Sequence, residues 1–188
     1  MLVETKEVGN LIIEIHTDDC PESPREWDNM GEILYTSDRY VLGDRKASRE
    51  EIQDICKDPD EVWLPVYAYI HSGITVNTTG FSCPWDSGQC GIIHVSKTDV
   101  LKNWNRQRFT AKLQARAEDL LRAEVDTYDQ FCRGEVYGYR VLRKVRCPAC
   151  GNDEPEELDA CWGFYGLDYV REEAESVAEY HMNERKVG

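Results

Sequence analysis

No long hydrophobic run occurs in this sequence, and that lack excludes a class of proteins. No stretch approaches the ~20 apolar residues that a membrane-spanning helix needs, and the N-terminus MLVETKEVGN has neither the basic nor the apolar part of a secretory leader. A cytoplasmic protein without a membrane partner is therefore expected. Positive charge is scarce as well: 22 Lys and Arg face 36 Asp and Glu, a formal net charge of −14. Such a field repels polyanions, so direct nucleic-acid binding over the whole surface is disfavoured and a basic protein partner is favoured. Gly-rich phosphate loops, zincin helices and kinase or nuclease signatures are missing, and no reaction can be read from motif spacing.

What is present suits a packed core. The chain has 188 residues, 41% of them hydrophobic, with ten Tyr and five Trp, which excludes disorder and fits one compact domain over residues 1–188. The acid is uneven: residues 1–95 carry 18 acids against 7 bases, residues 96–188 carry 18 against 15. Eight cysteines in a chain without an export signal are expected as thiols or metal ligands rather than disulfides.

Periodicity predicts an α+β fold: a mostly antiparallel sheet packed against one long helix, with shorter helices. LIIEIH at 11–16, the segment 32–43 as a strand pair, VWLPVYAYI at 62–70, ITVNTT at 74–79, GIIHV at 91–95 and 135–147 read as strands. Pro65 marks an edge or a bulge. Ser48 with Glu51, and Ser96 with Asp99, have the spacing of capping boxes. The first opens a helix to about Lys57; the second opens the longest helical stretch, ending near Gly134. Its apolar face is Leu113, Ala117, Leu120, Leu121, Val125, Tyr128 and Phe131. Residues 147–161 form an acidic, Cys-containing loop, 161–166 a short strand or turn, and 168–182 a further helix.

Four constellations carry candidate chemistry. Cys147 and Cys150 have the C-x-x-C spacing of a zinc knuckle, with Cys161 as a third ligand for a structural Zn²⁺. His71 and Ser72, with Trp85, Asp86, Ser87 and Gln89 from FSCPWDSGQC, form a loop suited to recognition, Trp85 as its anchor. Catalysis there would need Cys83 as nucleophile, His71 or His94 as base and Asp86 or Gln89 as orienter; no spacing rule supports that, and a non-enzyme is expected. Asp18, Asp19, Glu22, Glu26 and Asp28 are the densest acidic group, with Asp58, Asp60 and Glu61 another. Lys97, Lys102, Arg106, Arg108, Lys112 and Arg116 form a basic stripe that could touch phosphates; without a nucleic-acid-binding fold signature, pairing with the protein's own acids or a neighbouring subunit is the expectation.

Taken together, Ser23-Pro-Arg-Glu-Trp-Asp-Asn, Leu64-Pro-Val-Tyr, His71-Ser-Gly-Ile-Thr, Phe81-Ser-Cys-Pro-Trp-Asp-Ser-Gly-Gln, Thr127-Tyr-Asp-Gln, Val136-Tyr-Gly-Tyr and Cys161-Trp-Gly-Phe-Tyr-Gly resemble a family of unassigned activity carried by bacteriophages and plasmids. The resemblance implies a mobile-element setting in a host cytoplasm and an anti-defence role of anti-CRISPR or antirestriction type. Carboxylates would there stand in for nucleic-acid phosphates against a basic host nuclease complex. The alternative is a small-molecule site that binds or hydrolyses a nucleotide signal at the HSGIT and CPWDSGQ loops.

Overall fold

The structure, a computed structural model, describes residues 1–146 and 153–184. In chain order its elements are β1 (Leu2–Val8), β2 (Leu11–Thr17), a 3-10 turn (Pro24–Glu26), β3 (Glu32–Tyr35), β4 (Arg45–Lys46), α1 (Arg49–Lys57), β5 (Glu61–Ile70), β6 (Ile74–Asn77) and β7 (Ser87–Ser96). There follow α2 (Lys97–Asn103), α3 (Ala111–Cys132), β8 (Val136–Arg146), β9 (Asp153–Tyr165) and α4 (Leu167–Glu184). The fold is mixed α and β, with two sheets in place of the expected one. No described helix is long and apolar enough to cross a membrane.

Two compact units divide the chain: Met1–Glu22 with Gly134–Gly188, and Ser23–Arg133. Because the first unit is assembled from both ends of the sequence, no linker composition marks the division, and a reading by composition treats the chain as one domain.

The first unit is an antiparallel sheet in the order β1-β2-β8-β9. Strict alternation along β2 sends Leu11, Ile13 and Ile15 inward, where they meet Tyr139 and Val141 of β8 and Val170, Ala174 and Ala178 of α4. β1 escapes sequence reading because it is mostly polar; it forms as an edge strand, turning into β2 through Gly9 at φ 65°. β9 replaces the expected loop over residues 153–161, while 147–152 lie outside the described residues. From Asp153 the chain is strand, paired along β8, and its acids meet cations across the ladder: Arg140 Nε to Glu157 at 2.6 Å and Arg143 Nη1 to Glu156 at 3.5 Å. These cross-strand charge pairs add to the packing of Leu158 and Phe164 on the unit's core.

The second unit is a five-stranded sheet, β4-β3-β7-β5-β6, antiparallel except for the two-residue parallel pair β3–β4. Neighbouring residues on β3 and β7 point to opposite faces. Ile33 and Ile93 pack with Leu113, Ala117, Leu121 and Val125 of α3, whereas Leu34 and Ile92 pack with Ala47 and Ile52 beside α1. The expected strand pair over 32–43 shortens to β3. Pro65 lies in an inner strand rather than at an edge, but β6 pairs only with Tyr67–Ile70, and a bulge follows at Val66/Tyr67. At Pro65 β5 therefore has a strand on one side only, and its missing N–H disrupts no ladder.

Ser48 caps α1 as expected, its side chain accepting the Glu51 N–H. Ser96 caps only the seven-residue α2; the long helix is a separate element capped by Thr110. Gly134, at φ 69°, follows the last helical turn as a left-handed terminator.

Candidate functional site

The candidate loop is built on the second unit's sheet. β5 delivers Tyr69 and Ile70 to the turn at His71, where the His71 N–H donates to the Gly73 carbonyl at 3.2 Å. Asn77 closes the next turn, its side chain accepting the Thr79 and Gly80 N–H groups at 3.1 and 2.7 Å. The Tyr69 ring lies 6.3 Å from that of His71 and 5.8 Å from that of Phe81. The Asp86 carbonyl accepts the Ile70 N–H at 2.9 Å, and its carboxylate lies 3.3 Å from His71 Nδ1. Ser87 Oγ donates to the Cys83 carbonyl, and Gln89 Nε2 donates to Gly91 at 3.2 Å. Ser72 is exposed at the turn.

Four of these positions share a hollow that His71 and Ser72 do not line: Trp85, Asp86, Ser87 and Gln89 border it, about 550 Å³ in volume, together with Arg39 and Arg49. The hollow continues into a second, of about 450 Å³, between α1 and the sheet, which shares Thr36, Arg49 and Gln89 and adds Trp63. Trp85 is 90% exposed, so its indole contributes almost nothing to the core. Of the catalytic constellation His71 and Asp86 come together at 3.3 Å, but among the described residues no hydrogen bond joins Cys83 to a histidine, and His94 sits 2.9 Å from Glu61 and 3.4 Å from Glu32.

Other motif residues hold the fold. Thr75 of HSGIT and Asp129 of TYDQ meet: the Thr75 hydroxyl and the Val76 N–H donate to Asp129 Oδ1 at 2.6 and 2.7 Å, tying β6 to α3. Arg25 of SPREWDN has its side chain only 7% exposed. Its guanidinium donates to Asp44 at 2.9 and 2.7 Å, to Glu124 at 3.3 Å and to the Gly31 carbonyl at 2.6 Å. Burial opposes the charged form, but Asp44 and Glu124 together outweigh it and raise the Arg25 pKa above the ordinary arginine value. Nothing in sequence spacing connects residues 25, 44 and 124; only the Ser23-Pro24 turn signal, with Ser23 accepting the Arg25 N–H, was legible.

The acidic group divides between the units. Asp18, Asp19 and Glu22 belong to the first: Asp18 accepts the Cys20 N–H at 3.0 Å, Asp19 lies 3.6 Å from the N-terminal ammonium, and Glu22 is exposed, its carbonyl accepting the Tyr165 hydroxyl. Burial and the charges of Glu22 and Asp18 raise the Tyr165 pKa. Glu26 and Asp28 belong to the second unit, both exposed and without an ion pair among the described residues. Of the zinc candidates, Cys161 is exposed on β9, while Cys147 and Cys150 lie outside the described residues. Among the described residues no three His, Cys, Asp or Glu side chains are grouped to hold a metal.

The basic stripe departs from expectation. Lys97 reaches the Pro59 carbonyl and covers the Phe109 ring, and Arg116 lies over Trp104 at 4.3 Å. Yet Arg106, Arg108, Lys112 and Arg116 form no ion pair with any described acid, so the internal pairing expected for them is not realised. They border a hollow of about 730 Å³.

The chain matches no known family model, no curated protein and no solved structure.

Proposed function

We propose that this chain is a binding protein that inhibits a basic, nucleic-acid-handling host complex by stoichiometric contact, an anti-defence protein of anti-CRISPR or antirestriction type. The observation that supports it is the state of the acids singled out above. Elsewhere on the first unit's sheet carboxylates sit against cations, as Glu157 does against Arg140 and Glu7 against Lys144. Among the described residues Asp18, Asp19 and Glu22 of the first unit, and separately Glu26 and Asp28 of the second, have no Lys or Arg partner, and all but the half-buried Asp18 are exposed. Unneutralised carboxylates can occupy the lysines and arginines that a nuclease uses for phosphates, with an affinity that falls as salt rises. The test is capture of host proteins by the tagged chain at low and high salt. Retention of a nuclease complex chiefly at low salt, weakened about tenfold or more when Asp18, Asp19 and Glu22 are all changed to Ala, is the expected result. Binding insensitive to salt and to the triple change overturns it.

A second reading rests on the hollow at Trp85. It is a small-molecule site for an anionic aromatic ligand such as a nucleotide signal, supported by Arg39 and Arg49, neither in an ion pair among the described residues, beside Gln89 and Trp85. A loss of function on Trp85→Ala and Asp86→Ala, with little salt dependence, selects this reading over the first. A structural Zn²⁺ on Cys147, Cys150 and Cys161 is a separate proposal, read by metal content before and after Cys147→Ser.

A further inference from the structure

Ion-pair-free arginines are not scattered in this protein. Among the described residues Arg25, Arg45, Arg122, Arg133, Arg140, Arg143 and Arg171 all pair with carboxylates. Those that do not are Arg39, Arg49, Arg106, Arg108 and Arg116, and each lines a hollow. In a chain with 36 acids to 22 bases, finding a partner for a cation is easy. Arg106, Arg108, Lys112 and Arg116 nevertheless stand together unneutralised, and the single acid at their hollow, Asp119, is already held by Arg122 at 2.8 Å.

We infer that this hollow takes the phosphate backbone of a single-stranded nucleic acid. Four cations within eleven residues, unpaired, repel one another unless an anion with several charges lies among them. Two half-buried rings lie next to the cluster, Trp104 under Arg116 and Phe109 under Lys97; neither lines the hollow itself, but interleaving of cations with aromatics along the chain is the composition of single-strand binders, whose bases are free to stack beside a neutralised backbone. A duplex fits less well, because it carries twice the charge per unit length and meets more of the net −14. At physiological ionic strength charges beyond about 8 Å are largely screened, so the local cluster, rather than the net charge, decides what enters the hollow. The inference is independent of which reading of the acidic surface holds.

The test is fluorescence anisotropy of a labelled oligothymidylate, longer than the roughly 4 to 16 nucleotides such a groove covers, titrated with the full chain over a range of salt. Neutralisation of four phosphates predicts a slope of log K against log salt of about −3. Arg108→Ala with Lys112→Ala removes two contacts and should halve that slope. Both side chains are exposed, so the melting temperature of the double variant should match that of the parent. Arg45→Ala with Lys46→Ala, cations already held by Glu32, Glu51 and Asp38, should leave binding unchanged. Absence of binding at low salt overturns the inference, as does an equal loss in the Arg45/Lys46 variant. Displacement of the strand by polyglutamate as readily as by unlabelled oligonucleotide overturns it too, because the hollow would then be a general acidic-peptide surface.

Discussion

Replacing Arg25 by Ala should be among the most destabilising single changes in the second unit. The guanidinium is bound by Asp44 through two nitrogens at 2.9 and 2.7 Å, by Glu124 at 3.3 Å and by the Gly31 carbonyl at 2.6 Å. Glu124 is itself only 10% exposed. Removing the cation leaves two carboxylates facing each other with little water, and breaking a buried pair in this way costs about 3 to 5 kcal/mol. Each acid keeps backbone donors, Asp44 from Ile33 at 2.6 Å and Glu124 from Met30 at 2.8 Å, which places the expected loss near 3 kcal/mol, the lower end of that range. For a unit of this size that lowers the melting temperature by roughly 12 °C. Thermal and urea unfolding followed by circular dichroism measure it directly. Arg25→Lys should rescue little, since an ammonium cannot fork across both oxygens of Asp44. Adding Glu124→Gln to Arg25→Ala should cost less than the two separate losses combined, by about 1 kcal/mol or more. A loss below about 1 kcal/mol for Arg25→Ala, or strict additivity in the double variant, refutes the reasoning.

Two further outcomes follow from the same packing. Burial pushes the Cys90 and Cys132 thiols up to about 11 from the ordinary value of 9.0. Folded, both hold their protons to higher pH than unfolded, so their contribution to stability is complete below pH 9.0 and is lost as pH rises to about 11. Urea midpoints should fall across that window and the fall should shrink in Cys90→Ala/Cys132→Ala; an undiminished fall rules the thiols out as its source. Gly91→Ala should destabilise by about 3 kcal/mol or more, because a Cβ there would stand 1.8 Å from the Leu34 carbonyl oxygen, on the strand paired with β7. A near-neutral result in thermal unfolding would show that β3 and β7 separate easily.

The sequence by itself determined the elements whose signal is local. Alternation in LIIEIHT, the Ser48 and Ser96 caps, Gly134 as terminator and the apolar face of α3 are written in residues a few positions apart, and side-chain geometry enforces them at that range. Trp85, Asp86, Ser87 and Gln89 were legible as one loop for the same reason, and the fold places them along a single hollow. What only the tertiary structure decided depends on partners far apart in the chain. β9 forms because β8 supplies a ladder along its length, Leu158 and Phe164 pack on the core, and Arg140 and Arg143 stand opposite its acids; the long helical stretch breaks at Asn105, at φ 50°, before Thr110 caps α3. Arg25 is fixed because Glu124, 99 positions later, comes to rest beside it. Charge composition could count acids and bases but not match them. The matching, which among the described residues left Asp18, Asp19, Glu22, Glu26 and Asp28 without a Lys or Arg and Arg106, Arg108, Lys112 and Arg116 without a carboxylate, is a property of the folded chain, because Coulomb attraction between side chains acts through space and not along the sequence.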